Sequence, residues 1–265
     1  AGLWAVHREL KSHLMRHIRE QARRRWADQW KEALHLVGAG TLLDQEALTI
    51  GFARRFATYK RADLIFRDAE RLQLLLVNPW RPVQIVFAGK AHPADEPGKQ
   101  ILQRVYGFTR DARFEGRVAF IEDYEMHVAH RLVQGVDLWL NVPRAPLEAS
   151  GTSGMKAALN GVPQLSTLDG WWSEGYDASN GWAIQPGQDD ATDAEQLYRL
   201  LEQEVVPLYY DRDAQGVPHG WVKKMKHAMH IAGARFTAQR MVRQYLTDYY
   251  VPAIRGQMRD DPPTA

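Results

Sequence analysis

Leu138-Trp-Leu-Asn-Val-Pro-Arg-Ala-Pro-Leu-Glu148-Ala-Ser-Gly-Thr-Ser-Gly-Met-Lys156 opens with an apolar run, Leu138–Leu140, suited to a buried strand. It closes on small and hydroxyl residues, Ser150 to Gly154, just before a helical pattern at 153–160. A second apolar run, Pro163–Thr167, comes next. Strand, Gly-rich turn, helix and strand make one βαβ unit. The same alternation continues outward, with apolar runs at Ala47–Ala53, Val83–Ala88, Val118–Ile121 and Trp182–Ile184. Helical stretches fall between them at 60–77, 97–110, 125–134 and 191–205. Near-continuous apolar strands separated by helices argue for a parallel sheet covered on both faces. The expected class is α/β, a doubly wound Rossmann-like parallel sheet over residues 41–220.

Two helical segments flank that domain. Residues 1–40 carry apolar positions at helical spacing: Leu3, Val6, Leu10, Leu14, Ile18, Trp26, Trp30 and Leu34. A Gly-rich stop closes the segment at Gly38–Gly40. Residues 221–255 read as helical, in two pieces broken near Gly233, with Pro252 near the end and a tail at 256–265. The chain starts at Ala1 in what already reads as a helix, which suggests a fragment of a longer polypeptide.

Composition narrows the function classes. The 265 residues contain no cysteine, so disulfide scaffolds, thiolate metal sites and Cys nucleophiles are out. Nothing indicates an oxidising compartment. No apolar run approaches the ~20 residues of a membrane span. Net charge is +2, from 34 basic and 32 acidic residues, and does not imply a polyanionic partner. The basic helix with Arg23-Arg24-Arg25 could touch nucleic acid, but no DNA-binding motif accompanies it. No nucleic acid and no membrane partner is therefore expected.

In doubly wound sheets ligands lie beyond the carboxyl ends of the strands. After the first strand comes Gly51-Phe-Ala-Arg54-Arg55-Phe-Ala-Thr-Tyr59-Lys60-Arg61. Arginine offers a bidentate fork to phosphate and lysine a compact point charge. This turn is either an oxyanion site or a solvated basic turn. The second strand ends in Gly89-Lys90-Ala91-His92, a weak signal alone. The third ends in Glu122-Asp123-Tyr124, where the carboxylates point to opposite faces and suit helix caps as well as chemistry. The fourth leads to Glu148 and the Ser150–Gly154 turn, whose N–H groups and hydroxyls can cradle an anion at a helix start. The P-loop spacing is absent. Lys156 either pairs with phosphate there or forms a Schiff base with an aldehyde cofactor anchored by its phosphate. Trp171-Trp172, after the fifth strand, read equally as a sugar platform or as core aromatics.

Together these motifs resemble the α-glucan phosphorylases (glycogen, starch and maltodextrin), and most closely the shorter bacterial members. Glu148-Ala-Ser-Gly-Thr-Ser-Gly-Met-Lys156 is similar to the family's cofactor-lysine stretch. Arg54-Arg55-Phe-Ala-Thr-Tyr-Lys60-Arg61 resembles its basic motif, and Gly89-Lys-Ala its second-strand turn. The resemblance implies the C-terminal, cofactor-binding half of a two-domain GT-B glycosyltransferase architecture. It implies pyridoxal 5'-phosphate held by Lys156 as a Schiff base. Thr152, Gly151, Ser153 and Arg54 would hold the cofactor phosphate, and Tyr124 its ring. Arg55 and Lys60 would bind inorganic phosphate, and Glu148, Ser150 and Gly151 the glucosyl hydroxyls. Family members often have Lys where this chain has Arg54, and Gly-Asn where it has Ser153-Gly154.

The implied reaction is cytoplasmic phosphorolysis of an α-1,4-glucan to glucose 1-phosphate with retention, without a metal. The N-terminal domain would complete the active site and receive the helices of 221–255. The isolated chain is therefore expected to turn over little. Two other readings remain open. One is the nucleotide-sugar-binding half of a synthase-like GT-B glycosyltransferase. The other is a non-catalytic phosphate- or cofactor-binding module.

Overall fold

The computed structural model describes residues 2–28, 43–114 and 116–256. Six parallel strands form one sheet in the order β3-β2-β1-β4-β5-β6. They are β1 (Leu48–Ala53), β2 (Val83–Ala88), β3 (Val118–Ile121), β4 (Leu138–Asn141), β5 (Gln164–Thr167) and β6 (Gly181–Ile184). This is the doubly wound α/β order expected, and every strand falls within a residue or so of its sequence assignment. β1 and β2 are buried along their whole length, so their residues could not alternate polar and apolar.

The helices are α1 (Gly2–Asp28), α2 (Ala69–Leu76), α3 (Glu96–Phe108), α4 (Met126–Gly135), α5 (Thr152–Leu159), α6 (Trp171–Gly175), α7 (Asp190–Leu200), α8 (Val206–Tyr210), α9 (His219–Arg235), α10 (Ala238–Tyr245) and α11 (Val251–Ile254). One core packs Phe52, Phe66, Phe87, Leu197 and Trp221 on one face of the sheet. The opposite face packs Leu14, Met15, Val86, Leu132 and Trp139.

Four details depart from the sequence reading. First, α1 is turned from the face its apolar positions imply: Trp4, His7, Lys11, Leu14, Met15 and Ile18 are buried, while Val6 is exposed. The cause is Asp137, just ahead of β4. His7 Nε2 lies 2.8 Å from Asp137 Oδ1, and Lys11 Nζ donates to Asp137 Oδ2 at 2.6 Å. Trp30 and Leu34 lie outside the described residues.

Second, no helix begins at residue 60. Arg61 has φ 50 and ends a 3-10 turn. Its guanidinium donates to Asp193 at 2.7 Å and to Asp190 at 2.9 Å, and its Nε donates to the Val142 carbonyl at 2.8 Å. Third, α9 runs through Gly233, and the break comes at Phe236–Thr237.

Fourth, α9 packs on this domain through Trp221, Val222, Met225, Ala228 and Ala232, so 221 is not a packing boundary. The chain stands clear of the body only from α10 onward, and no residue of α10 is buried. Pro207 and Pro252 each sit in the first turn after a π-helical stretch, Leu201–Val205 and Leu246–Tyr250. Proline has no N–H and its ring crowds the carbonyl four residues back, which favours the wider turn. Pro252 therefore reshapes the terminal helix without ending it. Among the described residues no helix is long and apolar enough to cross a membrane.

Candidate active site

The strand order reverses between β1 and β4, and a cavity of about 800 Å³ opens at their carboxyl ends. The loop after β1 contributes Arg54, Arg55, Tyr59 and Lys60; the loop after β3 contributes Tyr124. The loop after β4 and the first turns of α5 contribute Glu148, Ser150, Gly151, Thr152, Ser153 and Lys156. The ten residues to which the resemblance gives cofactor or substrate roles thus all line one cavity, with Tyr59 beside them.

Local sequence explains the shape. Gly151 has φ +82, a left-handed conformation that glycine adopts freely, and turns the chain into α5. Gly154 has no room for a side chain: a Cβ there would stand 1.8 Å from Gln164 Oε1. Gly89 lets the second-strand turn pass close to Arg54, where a Cβ would meet the Arg54 carbonyl oxygen at 2.0 Å. That turn also accepts the Phe56 N–H on the Lys90 carbonyl at 3.0 Å. Lys90 thus braces the site through its backbone, and neither Lys90 nor His92 lines the cavity. Asp169 receives the Glu148 N–H on Oδ2 at 2.8 Å, and the Ser150 carbonyl accepts the Trp171 N–H at 2.8 Å. The loop from Glu148 to Gly151 is thereby tied to the start of α6.

The charges are concentrated. Glu148 Oε2 lies 2.5 Å from Lys60 Nζ and 3.1 Å from Arg54 Nη1. Lys60 Nζ also sits 4.5 Å from the Tyr59 ring centroid. All three charged groups are buried. Burial pulls the Arg54 guanidinium below its ordinary range, and the Glu148 charge opposes that. Burial raises Tyr124. Among the described residues Arg54 Nε and Nη1 find no hydrogen-bond partner, although Nη1 is in ion-pair contact. The buried Ser153 hydroxyl likewise finds no partner among them. Unpaired buried donors are rare because each carries a desolvation penalty of ~1–3 kcal/mol. Here they stand beside the cradle, the arrangement an anion would satisfy.

The sequence reading missed one wall. Met126, Ala129, His130 and Val133 of α4, with Asn160 after α5, complete the lining. The signal was the spacing: these four positions fall on one face of a helix. The Trp171 and Trp172 alternatives resolve to core: both are buried and pack with Ala158, Ala228, Ala232 and Phe236. Glu125 starts α4 with no side-chain cap, and Asp123 takes φ 54, so the acidic run is a tight turn. Among the described residues no group of three or more His, Asp or Glu is placed to hold a metal.

The comparisons agree with this geometry. The carbohydrate phosphorylase family model matches residues 6–174. Glycogen phosphorylase of Aquifex aeolicus is 50% identical over 259 residues, which is 96% of this chain and 37% of that protein. Glycogen phosphorylase of Mycobacterium tuberculosis is 44% identical over 98% of this chain and 31% of its own length. Maltodextrin phosphorylase of Thermococcus litoralis is 45% identical over 95% of this chain and 30% of its own length. The chain spans about a third of the length of these relatives. Among solved structures, Anabaena HepE in complex with UDP and glucose shares the fold, with a TM-score of 0.56 at 18% identity over 78% of this chain and 49% of that one. On the family model and these identities, the chain belongs to the carbohydrate phosphorylase family.

Proposed function

We propose that this chain is the cofactor- and phosphate-binding domain of an α-glucan phosphorylase that works in the cytoplasm. The reaction is phosphorolysis of an α-1,4-glucan to glucose 1-phosphate with retention. The observation that carries the reading is the company Lys156 keeps: it lines the same cavity as Arg54, Arg55 and Lys60, beside buried donors that lack partners. A nucleotide sugar has no need of a lysine at that place in α5.

The residues fit pyridoxal 5'-phosphate. Lys156 would hold it covalently, and Thr152, Ser153, the Gly151 turn and Arg54 would take its phosphate. Tyr124, which lines the same cavity, would contact its ring. When bound, the cofactor supplies a phosphate group as an acid–base partner to the substrate phosphate. The protein's own part is electrostatic and positional. Two phosphates held in this cavity would repel, and the charges of Arg54, Arg55 and Lys60 would offset that repulsion. Glu148, Ser150 and Gly151 line the same cavity and would offer acceptors and donors to the hydroxyls of a bound sugar, fixing its orientation.

The test is covalent capture. The chain is incubated with pyridoxal phosphate, reduced with borohydride, digested and mapped by mass spectrometry. The pyridoxyl group is expected on Lys156 and is expected to vanish in Lys156→Ala. A label scattered over surface lysines would sink the reading. A thermal shift with a nucleoside diphosphate would then favour the nucleotide-sugar alternative.

The rest of the active site would come from the part of the longer relatives that this chain does not span, and alone the chain would turn over little. The terminal helix is the proposed contact. Met241, Val242, Tyr245, Leu246, Tyr249 and Ile254 are all exposed. Their spacing makes one apolar stripe. Such a patch promotes self-association. Leu246→Glu with Tyr249→Lys is expected to shift the isolated chain toward monomer in sedimentation velocity, with Lys156 labelling unchanged. An unaltered distribution would remove the helix from that role.

A further inference from the structure

The phosphate and sugar groups of the proposed site are not independent. Lys60 Nζ and Arg54 Nη1 both approach the same oxygen, Glu148 Oε2, at 2.5 and 3.1 Å. The three side chains are each no more than a tenth exposed. A cation held this way is not a free phosphate receptor, since an arriving anion must replace the carboxylate. Nor is Glu148 Oε2 a free acceptor for a sugar hydroxyl. Arg55, by contrast, is exposed and makes no hydrogen bond to Glu148, so it offers a first landing point. Glu148 is held by its backbone as well: its N–H is fixed on Asp169. Its carboxylate therefore has a fixed base from which to change partners.

We propose that Glu148 is an internal counter-anion of the phosphate site. Its carboxylate holds Lys60 and Arg54 until inorganic phosphate displaces it from Lys60. The displaced carboxylate then becomes available to a sugar hydroxyl. Phosphate and sugar bind with positive coupling as a result, and the coupling is reciprocal. No bond is made or broken in this exchange; one charge-assisted contact replaces another. This inference rests on the phosphorylase reading above.

Inorganic phosphate is the probe, titrated calorimetrically at constant ionic strength into the full chain after loading with pyridoxal phosphate. Glu148→Gln keeps the shape and removes the charge. It is expected to bind phosphate about tenfold more tightly than wild type, the weight of one charge-assisted contact. Glu148→Asp keeps the charge on a shorter stem and is expected to fall between the two; it serves if the glutamine variant does not fold. Adding Lys60→Met to Glu148→Gln is expected to abolish the gain, which a general loosening of the loop would not do. Equal or weaker phosphate binding in both Glu148 variants overturns the proposal, as does failure of every variant to bind phosphate. Borohydride labelling of Lys156 in the same samples tells the two readings apart. Label present with no gain in affinity rejects the counter-anion alone, whereas label absent rejects the phosphorylase reading beneath it.

Discussion

Asp137→Ala is expected to lower folding stability by about 3–5 kcal/mol, the range for removing one partner of a buried ion pair. Asp137 is 1% exposed, as is Lys11. Its carboxylate takes His7, Lys11 and the Thr49 N–H, at 2.8, 2.6 and 2.7 Å. Lys11 also donates to the Ala47 carbonyl and the Tyr209 hydroxyl, at 2.6 and 3.0 Å. The alanine variant would leave the Lys11 ammonium buried without its counter-charge. Urea unfolding followed by tryptophan fluorescence measures the loss, and a change under about 1 kcal/mol would contradict the account. Adding Lys11→Met should recover a large part of it, because the cost lies in the unmatched charge.

The pH dependence has a definite sign. Burial alone would raise the Asp137 carboxyl, but Lys11 and His7 more than offset it, so the folded carboxyl titrates below its ordinary value. Its contribution is then fully present above about pH 4 and is lost as pH falls through the folded value. The difference between wild type and Asp137→Ala should therefore narrow in acid.

Gly170→Ala should damage the site more than any surface change. Gly170 has φ 55 and ψ −139, a region open essentially to glycine alone. A Cβ there would lie 2.6 Å from the Ser150 carbonyl oxygen and 2.9 Å from that of Glu148. Backbone strain and overlap together are worth about 3 kcal/mol. Part of that should appear as displacement of the Glu148–Gly151 loop. The expected result is a lower melting temperature together with weakened pyridoxal phosphate capture at Lys156. A stable variant that labels Lys156 as well as wild type would show that Asp169 and Trp171 alone hold the loop.

The strands were legible in the sequence because a sheet buried on both faces leaves uninterrupted apolar runs such as Val83–Ala88. The candidate site was legible because its ten residues fall just past strand ends, and the fold brings those ends together around one cavity. Two things were not legible, and both depend on distant partners. The turn at Arg61 needs Asp190 and Asp193, which lie far along the chain. The inward face of α1 needs Asp137, without which His7 and Lys11 read as solvated positions. The α4 wall escaped notice because Met126, Ala129 and Val133 look like ordinary core, and only the cavity distinguishes them.

The buried ion cluster and the cavity lie at opposite ends of β4. Asp137 precedes the strand, and the loop to Glu148 leaves its far end, with four strand residues between, on the order of 13 Å. Groups that far apart with no shared partner contribute additively. The domain can therefore drift in robustness at its base while the candidate site at its mouth keeps its shape. Engineers could thermostabilise one end without retuning the other.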